Sequence, residues 1–328
     1  MNKDILVVAE HFKGRLNEVT LELLGKGREL AQALDGKLRV ILLGDGVRHL
    51  AAELGAADSV WLAEDPQLRE FSPDGYGALT LAKVKESLPR LVLLGSTSVG
   101  LDLLGFLSAR GGFPCVDNCV RLETRDGQAL ATCQLYGGKV FAEVALADAT
   151  TLVAVIPGAF SGEGGRVNGN PEVQSLAPPQ GTTSRITFRK LIEPPAGDVD
   201  ITKSPILVAV GRGIQNAGNL ELAQAFADAL GGVVCASRPV IDQGWVPLTR
   251  QVGKSGMTVK PKLYFAFGIS GAPEHIEGMK QSELILAVNT DPNAPIFGVA
   301  HFGATADALE LLPLLTEEIE KSVLKKAS

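Results

Sequence analysis

Aromatic residues and cysteines are scarce in this chain, and each shortage argues against a class of protein. Aromatic residues make up 5% of the 328 residues, whereas glycine occurs 37 times. This combination is typical of parallel α/β proteins with many tight turns, and argues against a sandwich with an aromatic core. The cysteines form no CxxC pair, which argues against a zinc ribbon and an iron–sulfur ferredoxin domain. We therefore expect no metal site, and interpret Cys115, Cys119, Cys133 and Cys235 as buried thiols in a reducing compartment.

Excess positive charge and long apolar runs are also missing. The chain has 31 basic and 37 acidic residues, a net charge of −6, which argues against binding to nucleic acid or to an anionic membrane. No apolar run approaches the roughly 20 residues that cross a bilayer. The first ten residues contain a strand-like run rather than a secretory or transit signal. We therefore expect a cytoplasmic protein with no direct membrane insertion.

The length of the chain predicts two domains, because one hydrophobic core is near its practical limit at this size. Two α/β patterns are separated by residues 157–195, which are rich in Gly, Pro, Ser and Thr. The Pro-Pro-Ala-Gly string at 194–197 is the best boundary in this stretch. We expect an N-terminal domain of residues 1–195 and a C-terminal domain of residues 196–328.

In the first half, short apolar runs at residues 5–9, 38–43 and 91–94 alternate with helical patterns. This alternation predicts a mostly parallel sheet. From about residue 121 the pattern changes to strand-like runs at 129–136, 139–146 and 151–156, with Gly137-Gly138 as a hairpin signal. We interpret these three runs as an antiparallel extension of the same sheet.

The second half contains five short apolar runs, at residues 206–210, 233–236, 263–267, 284–288 and 296–299. Helical patterns cover residues 220–230 and 304–324. Glycine or polar residues stand at the carboxyl ends of the runs, which is the edge where open α/β sheets bind ligands. The pattern predicts a doubly wound parallel sheet whose carboxyl edge binds a large ligand that contains phosphate.

Two glycine-containing motifs differ in how strongly they indicate a phosphate site. The G-R-G string at 211–213 begins a dinucleotide fingerprint, but Asn216 stands at the sixth position and no acid follows the second strand. These departures argue against an ordinary NAD site and leave a plain turn as the alternative. The string GISGAPEH at 268–275 is stronger, because small residues leave the next helix open to a phosphate. His275 falls in the first turn of that helix.

The V-G-K-S-G loop at 252–256 lacks Walker spacing and is either a flexible turn or a loop that offers the Ser255 hydroxyl to a ligand. Arg238 directly follows a strand and precedes Pro239, which we expect to prevent a helix from starting there. This would place a cation at the mouth of the sheet, although a solvated surface arginine is the common alternative. No catalytic triad, GxSxG elbow or HExxH motif is present, so we expect no catalytic residue.

Several strings together resemble the α subunits of electron transfer flavoproteins. The most specific is ILAVNTDPNAPIF at 285–297, which continues to Gly303 and Asp307. The strings at 263–279, 237–238 and 251–253 are also similar, as are VAEH at 8–11 and YGGK at 136–139. The resemblance covers essentially the whole chain.

The resemblance implies an N-terminal nucleotide-hydrolase-like domain that packs on a β subunit, and a C-terminal Rossmann-like domain that binds one FAD. It implies an electron carrier rather than an autonomous enzyme. Electrons would come from acyl-CoA or related dehydrogenases, as in fatty acid oxidation, and pass to a quinone reductase or another acceptor. An electron-bifurcating complex, in which the β subunit binds a second FAD and NADH, is the alternative. A regulatory nucleotide-binding module is a third hypothesis, disfavoured because E-H-F at 10–12 replaces the glycines of a phosphate loop. The sequence leaves open the donor, the acceptor and the reduction potentials.

The resemblance also implies which residues contact the FAD. Arg238 would pack on the isoalloxazine ring, the Ser255 hydroxyl would face N5, and His275 would lie near the C2 carbonyl. Asn289 and Asp307 would contact the adenosine half. The full set implied is Arg212, Ser237, Arg238, Gln251, Val252, Gly253, Lys254, Ser255, Ser270, Gly271, Ala272, Pro273, Glu274, His275, Asn289, Asp307 and Ala308.

The sequence departs from the family pattern at two places, of which Lys254 bears on the potential of the flavin. Lys254-Ser255 stands where many members have Gln-Thr, and His301 stands where an acidic residue is common. A cation near the flavin favours its reduced, more negative forms. We therefore expect a reduction potential that differs from that of better-known members.

Overall fold

The computed structural model describes residues 2–177, 186–191 and 199–327. Met1–Lys190 forms one compact unit and Leu191–Ser328 forms a second. The predicted domain boundary, between residues 195 and 196, lies outside the described residues. In the described part of the chain, no helix is long and apolar enough to cross a membrane.

The first unit is built on a sheet of nine strands with the order β11-β5-β4-β1-β6-β10-β7-β8-β9. These strands are β1 (Ile5–Val8), β4 (Leu38–Gly44), β5 (Ser59–Glu64), β6 (Leu91–Gly95), β7 (Cys115–Arg125), β8 (Gln128–Leu135), β9 (Val140–Ala145), β10 (Thr151–Val155) and β11 (Glu172–Ser175). A small hairpin joins β2 (His11–Phe12) and β3 (Arg15–Leu16). The helices are α1 (Glu18–Leu34), α2 (Pro73–Ser87) and α3 (Ser98–Gly111).

Strand β1 shows why this sheet is mostly parallel. Its four apolar residues are buried, and it pairs in parallel with β4 on one side and β6 on the other. Ile5 and Val7 pack in a cluster with residues of α1, whereas Leu6 and Val8 pack in a second cluster with residues of α2 and α3. A strand covered by helices on both faces needs an uninterrupted apolar run, which is what the sequence has here. The predicted α/β class is confirmed.

The antiparallel extension is confirmed for two of its three predicted strands. Strand β8 pairs antiparallel with β7 and with β9. The third predicted member, β10, was assigned wrongly: it lies between β6 and β7 and is parallel to both. All five of its residues, TLVAV, are buried, as expected of a strand covered on both faces. The expectation of four buried thiols is also wrong for one residue, since Cys115, at the first position of β7, is exposed.

The second unit contains a sheet of five parallel strands with the order β13-β12-β14-β15-β16. The strands are β12 (Ile206–Val210), β13 (Val233–Ala236), β14 (Leu263–Phe267), β15 (Leu284–Asn289) and β16 (Phe302–Thr305). The helices are α4 (Leu220–Leu230), α5 (Arg238–Asp242), α6 (Pro273–Met279) and α7 (Ala308–Ala327). Alternate residues of β12 enter two separate clusters, so the sheet is covered on both faces. The predicted doubly wound, Rossmann-like sheet is confirmed.

Two local predictions in this unit are wrong, and proline explains both. The run at 296–299 is not a strand: Pro295–Gly298 forms a 3₁₀ turn, and the fifth strand is β16. Helix α5 starts at Arg238 although Pro239 follows directly. Proline lacks an N–H group and has a helical φ, so it fits the first turn of a helix, where the N–H group has no partner within the helix.

Candidate cofactor-binding site

The carboxyl ends of β12, β13, β14 and β15 open onto one cavity of about 720 Å³. Backbone hydrogen bonds hold the turns that follow these strands side by side. Ser237 N donates to Val210 O at 3.0 Å, and Gly268 N donates to Val288 O at 2.9 Å. The size is within the usual range of cofactor and ligand cavities, about 300–1,000 Å³.

Most of the residues that the resemblance implies lie on this cavity. Its lining is Arg212, Gly213, Ser237, Arg238, Pro239, Asp242, Gln251, Val252, Gly253, Lys254, Ser255, Gly268, Ile269, Ser270, Ala272, Glu274, His275 and Asn289. A second cavity of about 210 Å³ shares Gly213, Gly268 and Asn289 with it and adds Asp307 and Ala308. Of the residues implied to contact FAD, Gly271 and Pro273 line neither cavity.

Close backbone packing forms the floor that the two cavities share. Gly268 has a φ of +62°, and a Cβ atom placed on Gly213 would lie 2.6 Å from Gly268 Cα. Any side chain at either position would push the turns after β12 and β14 apart. This contact explains the G-R-G string at 211–213, which is an incomplete dinucleotide fingerprint but a tight turn.

His275 lies in the cavity wall and is buried. Its Nδ1 atom lies 3.2 Å from Val252 O, and its Nε2 atom lies 3.0 Å from the hydroxyl of Tyr264. Burial lowers the pKa of His275 to about 4, so the ring is neutral at neutral pH. A carbonyl oxygen can only accept, so the ring proton is on Nδ1, and Nε2 accepts from Tyr264.

The loop at 251–257 is fastened onto helix α6 beside His275. Lys254 N donates to Glu274 O at 2.8 Å, and a Cβ atom on Gly278 would lie 2.5 Å from Gly253 Cα. Gln251 Nε2 donates to Ser255 Oγ at 3.0 Å. Since the Ser255 oxygen accepts that bond, its own hydrogen is left for a ligand in the cavity.

Arg238 is exposed at the rim of the cavity, and its Nε atom lies 3.5 Å from Oδ2 of Asp242. Asp242 was missed by the analysis of the sequence. The i, i+4 spacing to Arg238 would have revealed it if the start of α5 had been recognised. The guanidinium therefore faces the site with a carboxylate beside it.

Three further implied residues, and His301 outside that set, have structural tasks that the sequence did not reveal. Asn289 Nδ2 donates to Ile269 O at 2.9 Å, which joins the ends of β15 and β14. Asp307 Oδ1 accepts from Leu309 N at 2.8 Å at the start of α7. Gly271 has a φ of +87° and packs against the backbone of Ile296. His301, absent from both cavity linings, accepts a hydrogen bond on Nδ1 from Ile285 N.

This set of groups suits a large anionic ligand. Arg212, Arg238 and Lys254 supply cations, and Ser255 supplies a hydroxyl hydrogen. The small cavity beyond Gly213 and Gly268 gives the site a second compartment. Among the described residues, no group of three or more His, Cys, Asp or Glu side chains could hold a metal ion.

Comparison with known proteins agrees with this chemistry. A family model described as "Electron transfer flavoprotein domain" matches residues 5–180, and one described as "Electron transfer flavoprotein FAD-binding domain" matches residues 200–280. The chain is 32% identical to the electron transfer flavoprotein subunit alpha of Bacillus subtilis (strain 168), over 98% of each chain. It is 34% identical to protein FixB of Clostridium saccharobutylicum, over 98% of this chain and 97% of that protein. It is 33% identical to the lactate dehydrogenase (NAD(+),ferredoxin) subunit LctC of Acetobacterium woodii, over 97% of this chain and 77% of that protein.

Proposed function

Because the chain belongs to the family of electron transfer flavoprotein α subunits, we propose that it carries electrons from a dehydrogenase to an acceptor in a complex with a β subunit. FAD is its cofactor, since the FAD-binding domain of the family covers residues 200–280. The main support for this proposal is the pair of adjoining cavities at the carboxyl edge of the second sheet. When bound there, the flavin takes up electrons and passes them on.

We assign the larger cavity to the flavin ring and the smaller one to the adenosine half. Asn289 borders both cavities, whereas Asp307 and Ala308 line the smaller one. Arg212 is exposed beside the shared floor at Gly213, where a pyrophosphate that joins the two halves would pass. A positive charge there lowers the free energy of the bound dianion.

The residues around the larger cavity set the electrostatics of the flavin. Arg238 and Lys254 favour negative charge on the ring, and Asp242 opposes it. Ser255 Oγ already accepts a hydrogen bond from Gln251 Nε2, so the Ser255 hydroxyl is placed to donate its own hydrogen to the flavin. The neutral ring of His275 forms part of the cavity wall. Its Nδ1–H group donates to Val252 O, and this bond holds the loop that contains Ser255 in place.

The partners follow from the same family. A β subunit completes the complex, and acyl-CoA or related dehydrogenases, as in fatty acid oxidation, are proposed as donors. A quinone reductase is the proposed acceptor. A carrier of this kind needs no residue that breaks bonds in a substrate, so we propose that the chain is not an enzyme by itself. We place the complex in the cytoplasm.

A bifurcating complex is the second candidate. The relative from Acetobacterium woodii favours it, because its name joins a dehydrogenase to NAD(+) and ferredoxin. The two candidates differ in the number of flavins in the αβ pair, and in whether NADH reduces them.

Counting flavins in the purified αβ pair separates these candidates. The pair is produced with a β subunit encoded beside it, supplied with excess FAD and desalted, and flavin released by heat is quantified. One FAD per pair, with no reduction by NADH, is expected for the carrier. Two FAD per pair with reduction by NADH would replace the carrier with the bifurcating complex, and no FAD at all would overturn both.

A further inference from the structure

Two cysteines face each other across neighbouring strands of the first unit. Cys119 on β7 and Cys133 on β8 are direct partners in the antiparallel register. Both side chains belong to the same hydrophobic cluster, so they lie on the same face of the sheet. Both are buried, with exposed fractions of 0% and 5%.

The two facing thiols differ in acidity. Interaction with Cys119 lowers the pKa of Cys133, whereas interaction with Cys133 and burial raise the pKa of Cys119. The thiol hydrogen of Cys119 also has an acceptor within reach, since Cys119 Sγ lies 3.2 Å from Arg121 O. Cys133 is therefore the sulfur that ionises first, and a thiolate is the reactive form of cysteine.

We propose that Cys119 and Cys133 form a dithiol that hydrogen peroxide oxidises to a disulfide joining β7 to β8. The Cys133 thiolate attacks one peroxide oxygen, which forms an S–O bond and breaks the O–O bond. The Cys119 sulfur then attacks the Cys133 sulfenic acid, so that an S–S bond forms, the S–O bond breaks and water leaves. In total, two thiols and one peroxide give one disulfide and two waters. The thiols lose two electrons and the peroxide gains them.

The backbone can accommodate this bond. Facing Cβ atoms of an antiparallel pair lie about 4.5–5.5 Å apart, whereas a disulfide needs about 3.5–4.5 Å. The register of β7 shifts between Cys119 and Arg121, so the strand is already irregular beside the pair. An approach of up to about 1 Å would close the bond.

The other two cysteines provide internal controls. Cys115 is exposed at the start of β7, four residues before Cys119. Cys235 is buried in the second unit, in the same hydrophobic cluster as Tyr264. Oxidation governed by exposure alone would modify Cys115 first, whereas oxidation governed by pairing would join Cys119 to Cys133.

Peptide mapping of the αβ pair tests the proposal directly. Cys115 and Cys119 lie on one tryptic peptide, residues 111–121, and Cys133 lies on another, residues 126–139. The Cys115→Ser variant therefore removes ambiguity from the map. The reduced pair is treated with hydrogen peroxide, alkylated under denaturing conditions, digested and analysed by mass spectrometry.

In this variant we expect the α subunit to fall from three alkylated cysteines to one, with peptides 111–121 and 126–139 joined. Dithiothreitol should restore all three, because a disulfide is reducible. Cys119→Ala in the same background should abolish the joined peptide. The proposal is overturned if Cys119 and Cys133 both remain alkylated after peroxide, or if Cys133 is converted to a sulfinic acid while Cys119 stays free.

Discussion

The hydroxyl oxygen of Tyr264 lies 3.0 Å from Nε2 of His275, and both side chains are buried, with His275 in the wall of the larger cavity of the second unit. Val252 O accepts from Nδ1 on the other side of the ring. With a neutral ring, this pair of bonds leaves one arrangement of protons, in which Tyr264 donates to His275 and His275 donates to Val252. Through His275, these two bonds link the core strand β14 to the loop that contains Ser255.

Tyr264→Phe should destabilise the second unit without unfolding it. Phenylalanine fills nearly the same volume but leaves the buried Nε2 atom without a donor, which costs about 1–3 kcal/mol. Urea unfolding of the αβ pair measures this loss. Tyr136→Phe is the matched control, since Tyr136 is 80% exposed and should change stability little. Equal stability of Tyr264→Phe and the wild type would show that the bond between Tyr264 and His275 is not formed.

Acid should weaken the second unit through His275. Burial lowers the pKa of this ring to about 4, below the ordinary value of 6.5. Between those values the unfolded chain binds a proton that the folded chain does not, so stability falls as the pH falls from 6.5 to 4. The slope is about 1.4 kcal/mol per pH unit for one group.

The measurement is the free energy of unfolding at pH 7 and pH 5, for the wild type and His275→Gln. The wild type should lose more stability than the variant between the two pH values, because glutamine does not titrate. Parallel losses in both proteins would exclude His275 as the cause.

The first unit should show the opposite dependence, through Glu10. Burial raises the pKa of Glu10 to about 7, although Thr97 Oγ1 donates to its carboxylate. Between pH 4.5 and 7 the folded chain binds the additional proton, so this contribution to stability is present at low pH and is lost as the pH rises through 7.

Glu10→Gln should therefore be more stable than the wild type at pH 8, by about 3 kcal/mol at most. Glutamine keeps an acceptor for Thr97 and carries no charge. Glu53→Gln, at an exposed position of the same unit, should change stability little. Thermal unfolding at pH 5 and pH 8 provides the comparison, and an advantage of Glu10→Gln that is equal at both pH values would contradict the titration.

Arg238 and Asp242 should shift the flavin potential in opposite directions. Arg238→Ala removes a cation near the site and should lower the potential, whereas Asp242→Asn removes the neighbouring carboxylate and should raise it. Because both side chains are largely exposed, each shift should be up to about 20 mV for two electrons. Redox titration against a dye of known potential measures both variants. Unchanged potentials in variants that still hold FAD would remove this pair from the site.

The sequence predicted the sheet of the second unit well, because four of its strands are short apolar runs with glycine or a polar residue directly after them. Because these strands are parallel, the residues that follow them lie at one edge of the sheet. Arg212, Ser237 and Asn289 line the same cavity there. The orientation of β10 could not be predicted in this way. Its apolar run is compatible with either direction, and its partners β6 and β7 are distant in sequence.

Contacts between side chains that are distant in sequence also could not be predicted from the sequence. The bond from Tyr264 to His275 depends on the depth at which helix α6 sits on β14, which local patterns do not encode. The facing of Cys119 and Cys133 depends on the register of β7 and β8, and a shift of one residue would place the two side chains on opposite faces. Both relationships required the folded chain.

The claim that the cavity of the second unit holds the cofactor is tested most directly by titrating the deflavinated αβ pair with FAD. Binding is monitored by flavin fluorescence. Arg212→Glu reverses a charge at the cavity, and Lys260→Glu makes the same kind of change at an exposed position outside both cavities of the second unit. We expect Arg212→Glu to weaken FAD binding about tenfold or more, equivalent to at least about 1.4 kcal/mol, and Lys260→Glu to bind like the wild type. Equal affinities for the two variants and the wild type would contradict the claim that this cavity holds the cofactor.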